Sequence, residues 1–132
     1  MKALTIKQPW ASLIIEGHKD YEFRTWQTKY RGKILIHAGL AKEKKYLDAY
    51  KEHNLNCEFG CIIGEAEIVD CVLVDEKMSK ELINSQSIAY TNHDRTGLYA
   101  WKLINIKKYD NPIHCKGALS LWEYKGEVKN EC

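Results

Sequence analysis

The chain lacks the length and the apolar runs that mark multidomain or membrane proteins. Its 132 residues are too few for separate cofactor and substrate domains, since one domain usually takes about 100–150 residues. Near the N-terminus the longest apolar stretch is residues 13–15, far short of a signal peptide or a membrane span. We therefore predict one cytoplasmic domain with no membrane partner.

The cysteines lack the spacing of a disulfide framework or a zinc knuckle. Their number, five, is odd, and no pair has a C-x-x-C spacing. His53, Cys57 and Cys61 recur at intervals of four, which would place them on one helix face. Gly60 and the strand pattern after it argue against a continuous helix there. We predict reduced thiols, no metal site and no cofactor.

The chain also has little net charge, since the formal value is only +2. The charge is unevenly distributed: positions 1–56 hold 11 basic and 6 acidic residues, whereas positions 57–132 hold 9 basic and 12 acidic residues. Salt-driven binding to duplex DNA usually needs a denser basic stripe than this. A nucleic-acid partner is therefore expected to be short, single-stranded or nucleoside-sized.

Phenylalanine is rare, whereas tryptophan and tyrosine are abundant. The chain has two Phe against four Trp and eight Tyr. Each Trp and Tyr carries a polar atom that needs a partner when it is buried. Most of these rings, Trp101 and Trp122 among them, are expected to fill a β-rich core, and a few to line a half-wet surface.

Hydrophobic periodicity predicts about six strands and two or three short helices. Strands are predicted at residues 3–7, 20–26, 33–38, 59–74, 98–104 and 113–124, and helices at 10–16 and 42–53, with a weakly helical connector at 76–86. Gly17 is expected to end the first helix, Gly64 to mark a bulge or bend, and Asn111-Pro112 to turn the chain. The polar loop at residues 87–97 is typical of a binding element.

This order of elements indicates an α+β fold. A parallel α/β sheet needs a helix between successive strands, and the later half of the chain has none. We predict a small, closed or nearly closed β-barrel with short flanking helices, since closure removes exposed strand edges. Residues 1–124 form the single domain, and residues 125–132 form a frayed polar tail.

The residues with the most chemistry lie between positions 8 and 26. Lys19 follows the turn at Gly17, and Glu22 and Arg24 share a predicted strand face with Trp26. An isolated Glu–Arg pair on a strand is usually solvated and contributes about 0–1 kcal/mol. Several such groups beside indole rings would instead form a pocket for a planar base or nucleoside.

The pattern G-x-K-x-x-E-x-R, formed by Gly17, Lys19, Glu22 and Arg24, resembles a motif of the ASCH domain family, a branch of the PUA-like β-barrels. Four flanking segments are also similar to that family: residues 8–10, 30–38, 97–103 and 116–122. The resemblance extends from residue 2 to residue 122. It implies a PUA-like barrel with a cleft lined by the motif lysine, glutamate and arginine.

PUA-like domains are typically modules that bind RNA or modified bases, so the resemblance implies RNA or a modified nucleoside as the partner. It implies no obligate protein partner. Together with the residue pattern it gives seven candidate ligand-binding residues: Gln8, Trp10, Lys19, Glu22, Arg24, Trp26 and Tyr99.

Two enzymatic alternatives remain. One bacterial branch of small ASCH proteins hydrolyses the acetyl amide of N4-acetylcytidine with the motif lysine, a threonine three positions later and a separate glutamate. Lys19 matches that lysine, but Glu22 stands where the threonine is expected, and the sequence singles out none of Glu65, Glu67 and Glu81 as the third member. Lys19 and Glu22 are then the catalytic candidates.

The other alternative is a ribonuclease, in which His93 on the polar loop would act as acid or base. His37 follows apolar strand residues and is expected to be a satisfied core or rim histidine instead.

Overall fold

The computed structural model of the protein describes residues 1–44, 55–85, 89–90 and 93–129. The helix predicted at residues 42–53 therefore lies mostly outside the described residues, and so does His53. Of the predicted tail, residues 125–129 are described, and the half-buried Val128 packs against a hydrophobic cluster that includes Ala3 and Leu35.

Six strands and two helices make up the described fold. In chain order they are β1 (Lys2–Gln8), α1 (Trp10–Ile15), β2 (Tyr21–Arg24), β3 (Gly32–Lys42), β4 (Cys61–Leu73), α2 (Glu76–Asn84), β5 (Tyr99–His114) and β6 (Leu121–Glu123). The first five predicted strands and the first helix are confirmed, and the predicted connector forms α2. No helix within the described ranges is long and apolar enough to span a membrane.

All six strands belong to one sheet with the order β2-β5-β4-β3-β1-β6. β1 and β3 pair in parallel, and the other neighbours are antiparallel. Among the described residues the edge strands β2 and β6 do not pair with each other. The α+β class is confirmed, but closure of the sheet into a barrel is not.

Both faces of the central strands are buried. In β3, Ile34, Ile36 and Ala38 belong to the main core with Trp101, whereas Leu35 packs on the opposite face. Strands buried on both sides have continuous apolar runs rather than alternating ones, which explains the sequence of β3. α1 covers the main core with Ala11, Ile14 and Ile15.

The prediction of a chain turn at Asn111-Pro112 was wrong, because β5 continues through these residues to His114. Ile62 pairs with Ile113, but Gly64 pairs with Lys108, so residues 109–112 of β5 lie in an irregular stretch opposite Ile63, the neighbour of Gly64. A bulge of this kind accommodates a proline, which has no N–H for the ladder. The irregularity predicted at Gly64 is confirmed, and the last strand is only Leu121–Glu123.

Candidate functional site

The turn after α1 directs Lys19 towards the sheet. Gly17 has φ +84°, a left-handed conformation that glycine adopts without strain and that ends the helix as predicted. The carbonyl oxygen of Leu13 then accepts hydrogen bonds from the backbone N–H groups of His18 (2.9 Å) and Lys19 (3.1 Å). Lys19 is therefore fixed beside the start of β2, where Glu22 and Arg24 follow.

Lys19, Glu22 and Arg24 form one hydrogen-bonded ionic network, which we name the KER cluster. Lys19 Nζ donates to Glu22 Oε1 at 3.1 Å and to the carbonyl oxygen of Tyr21. Arg24 donates from Nε (3.1 Å) and Nη2 (2.9 Å) to Glu22 Oε2, and Nη2 also donates to the carbonyl oxygen of Thr5 at 2.8 Å. Both oxygens of the Glu22 carboxylate are thus held by cations.

Burial acts on the two ends of this network in different ways. For Glu22, burial alone would raise the pKa, but the charges and hydrogen bonds of Lys19 and Arg24 outweigh it and hold the pKa below its ordinary value. For Lys19, burial outweighs the attraction of Glu22 and, helped by the nearby Arg95 and Arg24, lowers the pKa. The carboxylate stays ionised, while the ammonium of Lys19 is more acidic than that of a surface lysine.

The KER cluster lies against a cavity of about 510 Å³. Half-buried Trp10 from α1 and Phe23 from β2 contribute aromatic walls, and Ile6 and Leu98 contribute further apolar surface. The structure therefore brings together four of the seven predicted binding residues: Trp10, Lys19, Glu22 and Arg24.

Arg95 is a lining residue that the sequence did not single out. It is 7% exposed, and its guanidinium carbon lies 5.0 Å from the ring centre of Phe23 and 5.7 Å from that of Tyr90. Its backbone N–H donates to Ser79 Oγ of α2 at 2.9 Å, which attaches the loop to the helix. The position of Arg95 within the polar loop at residues 87–97 was the one available signal.

Gln8, Trp26 and Tyr99 are not among the residues that line this cavity. Gln8, the last residue of β1, is buried just before α1. Its Oε1 accepts from the N–H of Ser12 (3.0 Å), and its Nε2 donates to the carbonyl oxygen of Glu58 (2.8 Å). Trp26 packs edge-on against Trp101, with ring centres 4.7 Å apart. β2 ends at Arg24, so the alternation that would have placed Trp26 beside Arg24 does not continue. Tyr99 packs against the main core.

Of the other candidate acid–base residues, His93 lines the cavity, whereas Glu65, Glu67 and Glu81 do not. Glu65 instead accepts from the hydroxyl of Tyr109 at 2.6 Å. His37 is a satisfied buried histidine, as predicted, with Nδ1 3.1 Å from Thr5 Oγ1 and Nε2 2.8 Å from the carbonyl oxygen of Cys115. Among the described residues no group of three or more His, Cys, Asp or Glu side chains could hold a metal ion.

Comparison with known proteins identifies the family of the chain. A family model of the ASCH domain matches residues 4–113. Activating signal cointegrator 1 of Homo sapiens is 34% identical over 90 residues, which cover 59% of this chain and 15% of that protein. The same protein of Mus musculus is 33% identical over 81 residues, covering 52% of this chain and 14% of that protein. The chain thus spans only a small part of these relatives.

Solved structures show the same fold. The crystal structure of ASCH from Zymomonas mobilis superposes with a TM-score of 0.55 at 17% identity, covering 86% of this chain and 72% of that one. A mutant of the Zymomonas mobilis protein gives a TM-score of 0.53 at 18% identity, with the same coverage of both chains.

Proposed function

The chain belongs to the ASCH domain family, and we propose that it binds single-stranded RNA or a nucleoside in the cavity beside the KER cluster. The family is associated with RNA binding. In this proposal Arg24 and Lys19 contact phosphate or base acceptors, and Trp10 stacks on a base. A PUA-like barrel closed around this cleft is part of the same proposal. So is a domain formed by residues 1–124, against which Val128 of the tail packs.

The observation that carries the proposal is the burial of the KER cluster beside aromatic walls. Burying ionic groups costs more free energy than burying apolar side chains of similar size, because the ions lose their hydration. A contribution to stability therefore does not by itself explain such a cluster. A mostly apolar cavity with a few fixed polar groups is the usual form of a small-molecule site. Arginine and lysine donors next to half-buried aromatic rings suit the phosphates and bases of a single strand.

The test is the affinity for short single-stranded RNA, measured by fluorescence anisotropy with the wild-type chain and with Lys19→Met. Because charge-assisted hydrogen bonds contribute about 1.5–3 kcal/mol, loss of the ammonium should weaken binding by about tenfold or more. The matched control is Lys129→Met, since the side chain of Lys129 is 77% exposed and does not line the cavity.

We expect Lys129→Met to bind like the wild type within about twofold, since an exposed charge contributes little. Thermal unfolding of both variants checks that the fold is intact. A folded Lys19→Met chain with wild-type affinity would rule out this cavity as the binding site.

A second candidate function, hydrolysis of an acylated nucleoside such as N4-acetylcytidine, is favoured by the lowered pKa of Lys19. Neutral Lys19 would take a proton from water, and the hydroxide would attack the acetyl carbonyl. The C–N bond would then break as the Lys19 ammonium passes this proton to the leaving N4 nitrogen, which releases cytidine and restores neutral Lys19, and the acetic acid would lose its proton to solvent to give acetate. Arg24 would stabilise the oxyanion. Glu22 is a poor base in this scheme, because its own pKa is lowered and both its oxygens are engaged.

Chromatography of the purified chain incubated with N4-acetylcytidine tests this candidate. If the chain is this hydrolase, the wild type releases cytidine and acetate. Lys19→Met should then release them about 100-fold or more slowly, as expected for the loss of a general base. Equal rates in the two chains would exclude it. The third candidate, a ribonuclease using His93, predicts shortened RNA on a denaturing gel after the binding experiment and intact RNA with His93→Gln.

A further inference from the structure

Positive charge exceeds negative charge around the cavity. Of the lining residues that the structure describes, four are cationic and two are anionic: Lys7, Lys19, Arg24 and Arg95 against Glu22 and Asp94. Lys7 also pairs with Glu43 at 3.5 Å. Asp94 is committed to its own loop, because its Oδ1 accepts from Ser79 Oγ (2.9 Å) and Thr96 Oγ1 (2.6 Å). The cavity therefore favours a ligand that carries negative charge over a neutral one.

Donors in the KER cluster remain for such a ligand. Within the described ranges, Arg24 uses Nε and Nη2, and Lys19 uses two of its three N–H bonds. Two hydrogens on Arg24 Nη1 and one on Lys19 Nζ are then available to acceptor oxygens. An anion placed between them would also offset the cost of burying these cations.

The depth of the site limits how a nucleic acid can reach it. Lys19 is only 4% exposed, whereas the phosphodiester of a continuous strand carries bulky neighbours on both sides. The cavity volume of about 510 Å³ is within the range of about 300–1,000 Å³ that holds one small ligand. One nucleotide entering end-on fits this shape better than a strand passing through.

Resting on the proposed function, we infer that the cavity recognises a phosphate monoester joined to a nucleoside, with the phosphate between Lys19, Arg24 and Arg95 and the base near Trp10. A monoester carries a charge of about −1.5 to −2 at pH 7 and three acceptor oxygens, more than an internal phosphodiester. Its two sources are a free nucleoside monophosphate and the phosphorylated end of an RNA strand.

Calorimetric titration of the wild-type chain separates these ligands. The first arm compares cytidine with its 5′- and 3′-monophosphates, and the second compares a hexanucleotide RNA bearing a 5′-phosphate, a 3′-phosphate or hydroxyls at both ends. We expect the phosphorylated member to bind about tenfold or more tightly in at least one arm, since charge-assisted hydrogen bonds are the strong ones. The tighter arm identifies the source.

A variant arm uses Arg95→Gln, with Lys129→Gln as the matched exposed control. The preference for the phosphorylated ligand should fall at least about threefold in the first variant and stay unchanged in the second, because only the first removes a cation from the cavity. An unchanged preference in a folded Arg95→Gln chain would contradict the placement of the phosphate.

The outcomes also separate this inference from the proposed function. If cytidine and its monophosphates, and all three hexanucleotides, bind within twofold of one another, the phosphate inference is wrong and nucleoside or RNA binding stands. If neither nucleosides, nucleotides nor hexanucleotides bind, the proposed function itself is wrong.

Discussion

Two ionic clusters begin at adjacent residues of the chain and differ mainly in burial. Lys19 pairs with Glu22 at 3.1 Å, and their side chains are 4% and 9% exposed. Asp20 pairs with Lys102 of β5 at 2.5 Å, and these side chains are 52% and 33% exposed. Asp20 also accepts a hydrogen bond from Tyr90, at 2.5 Å.

The comparison shows that geometry alone does not distinguish a site from a surface contact. Both clusters join a lysine to a carboxylate at hydrogen-bond distance, but solvent screens only the Asp20 pair. Removing a partner from the buried cluster leaves uncompensated charge in a poorly solvated place, whereas removing one from the exposed pair lets water replace it. Three predictions test this difference.

The largest effect on stability is expected for Glu22→Gln. The substitution leaves Lys19 and Arg24 close together without a carboxylate between them. Breaking a buried ion pair in this way typically lowers the free energy of unfolding by about 3–5 kcal/mol. Asp20→Asn, the matched control, keeps an acceptor for Tyr90 and should cost about 1 kcal/mol or less. The free energy of unfolding in urea measures both, and equal losses would remove the distinction between the clusters.

A smaller effect on stability is expected when the pH is lowered. The pKa of Glu22 lies below its ordinary value, since Lys19 and Arg24 outweigh the opposing effect of burial. Its contribution to stability is therefore complete above the unfolded-state pKa of about 4.3 and is lost as the pH falls through the folded-state pKa. The stability difference between wild type and Glu22→Gln should thus shrink between pH 5 and the acid limit of folding, measured by urea unfolding at several pH values. A difference that grows on acidification would contradict the paired state.

The smallest effect is expected for Lys102→Gln. This side chain is one-third exposed, so its loss should cost about 0–1 kcal/mol at low salt and less in 1 M NaCl, where the Debye length is about 3 Å. The cost of Glu22→Gln should change little with salt, because ions do not enter the buried cluster. Salt sensitivity of equal size for both variants would show that the KER cluster is solvated.

Much of the fold could be predicted because local patterns and packing agree. The apolar runs of β1, β3 and β4 form strands as predicted. Gly17 adopts a left-handed conformation, and Gly64 has no Cβ to meet the carbonyl oxygen of Lys107. The turn at Asn111-Pro112 could not be excluded locally, since whether a proline ends a strand depends on the partner strand. Here the ladder between β4 and β5 accommodates it in a bulge.

The candidate site could be predicted only in part. Lys19, Glu22, Arg24 and Trp10 are close in sequence, and a short turn brings them together. Arg95 is 71 residues from Arg24 in the numbering, and no local pattern joins the two. Strand alternation, extended beyond Arg24, predicts Trp26 in the cleft, but β2 ends at Arg24.

The sequence by itself determined the family, the α+β class and the G-x-K-x-x-E-x-R motif, because each depends on residue types at short, fixed spacings. Tertiary structure alone decided that the motif is buried, that Arg95 joins it from a distant loop, and that Trp26 packs in the core while Trp10 faces the cavity. The burial of this cluster and the balance of charge around it depend on the residues that the rest of the chain places nearby. These two properties distinguish a candidate binding site from a lysine, a glutamate and an arginine on the surface.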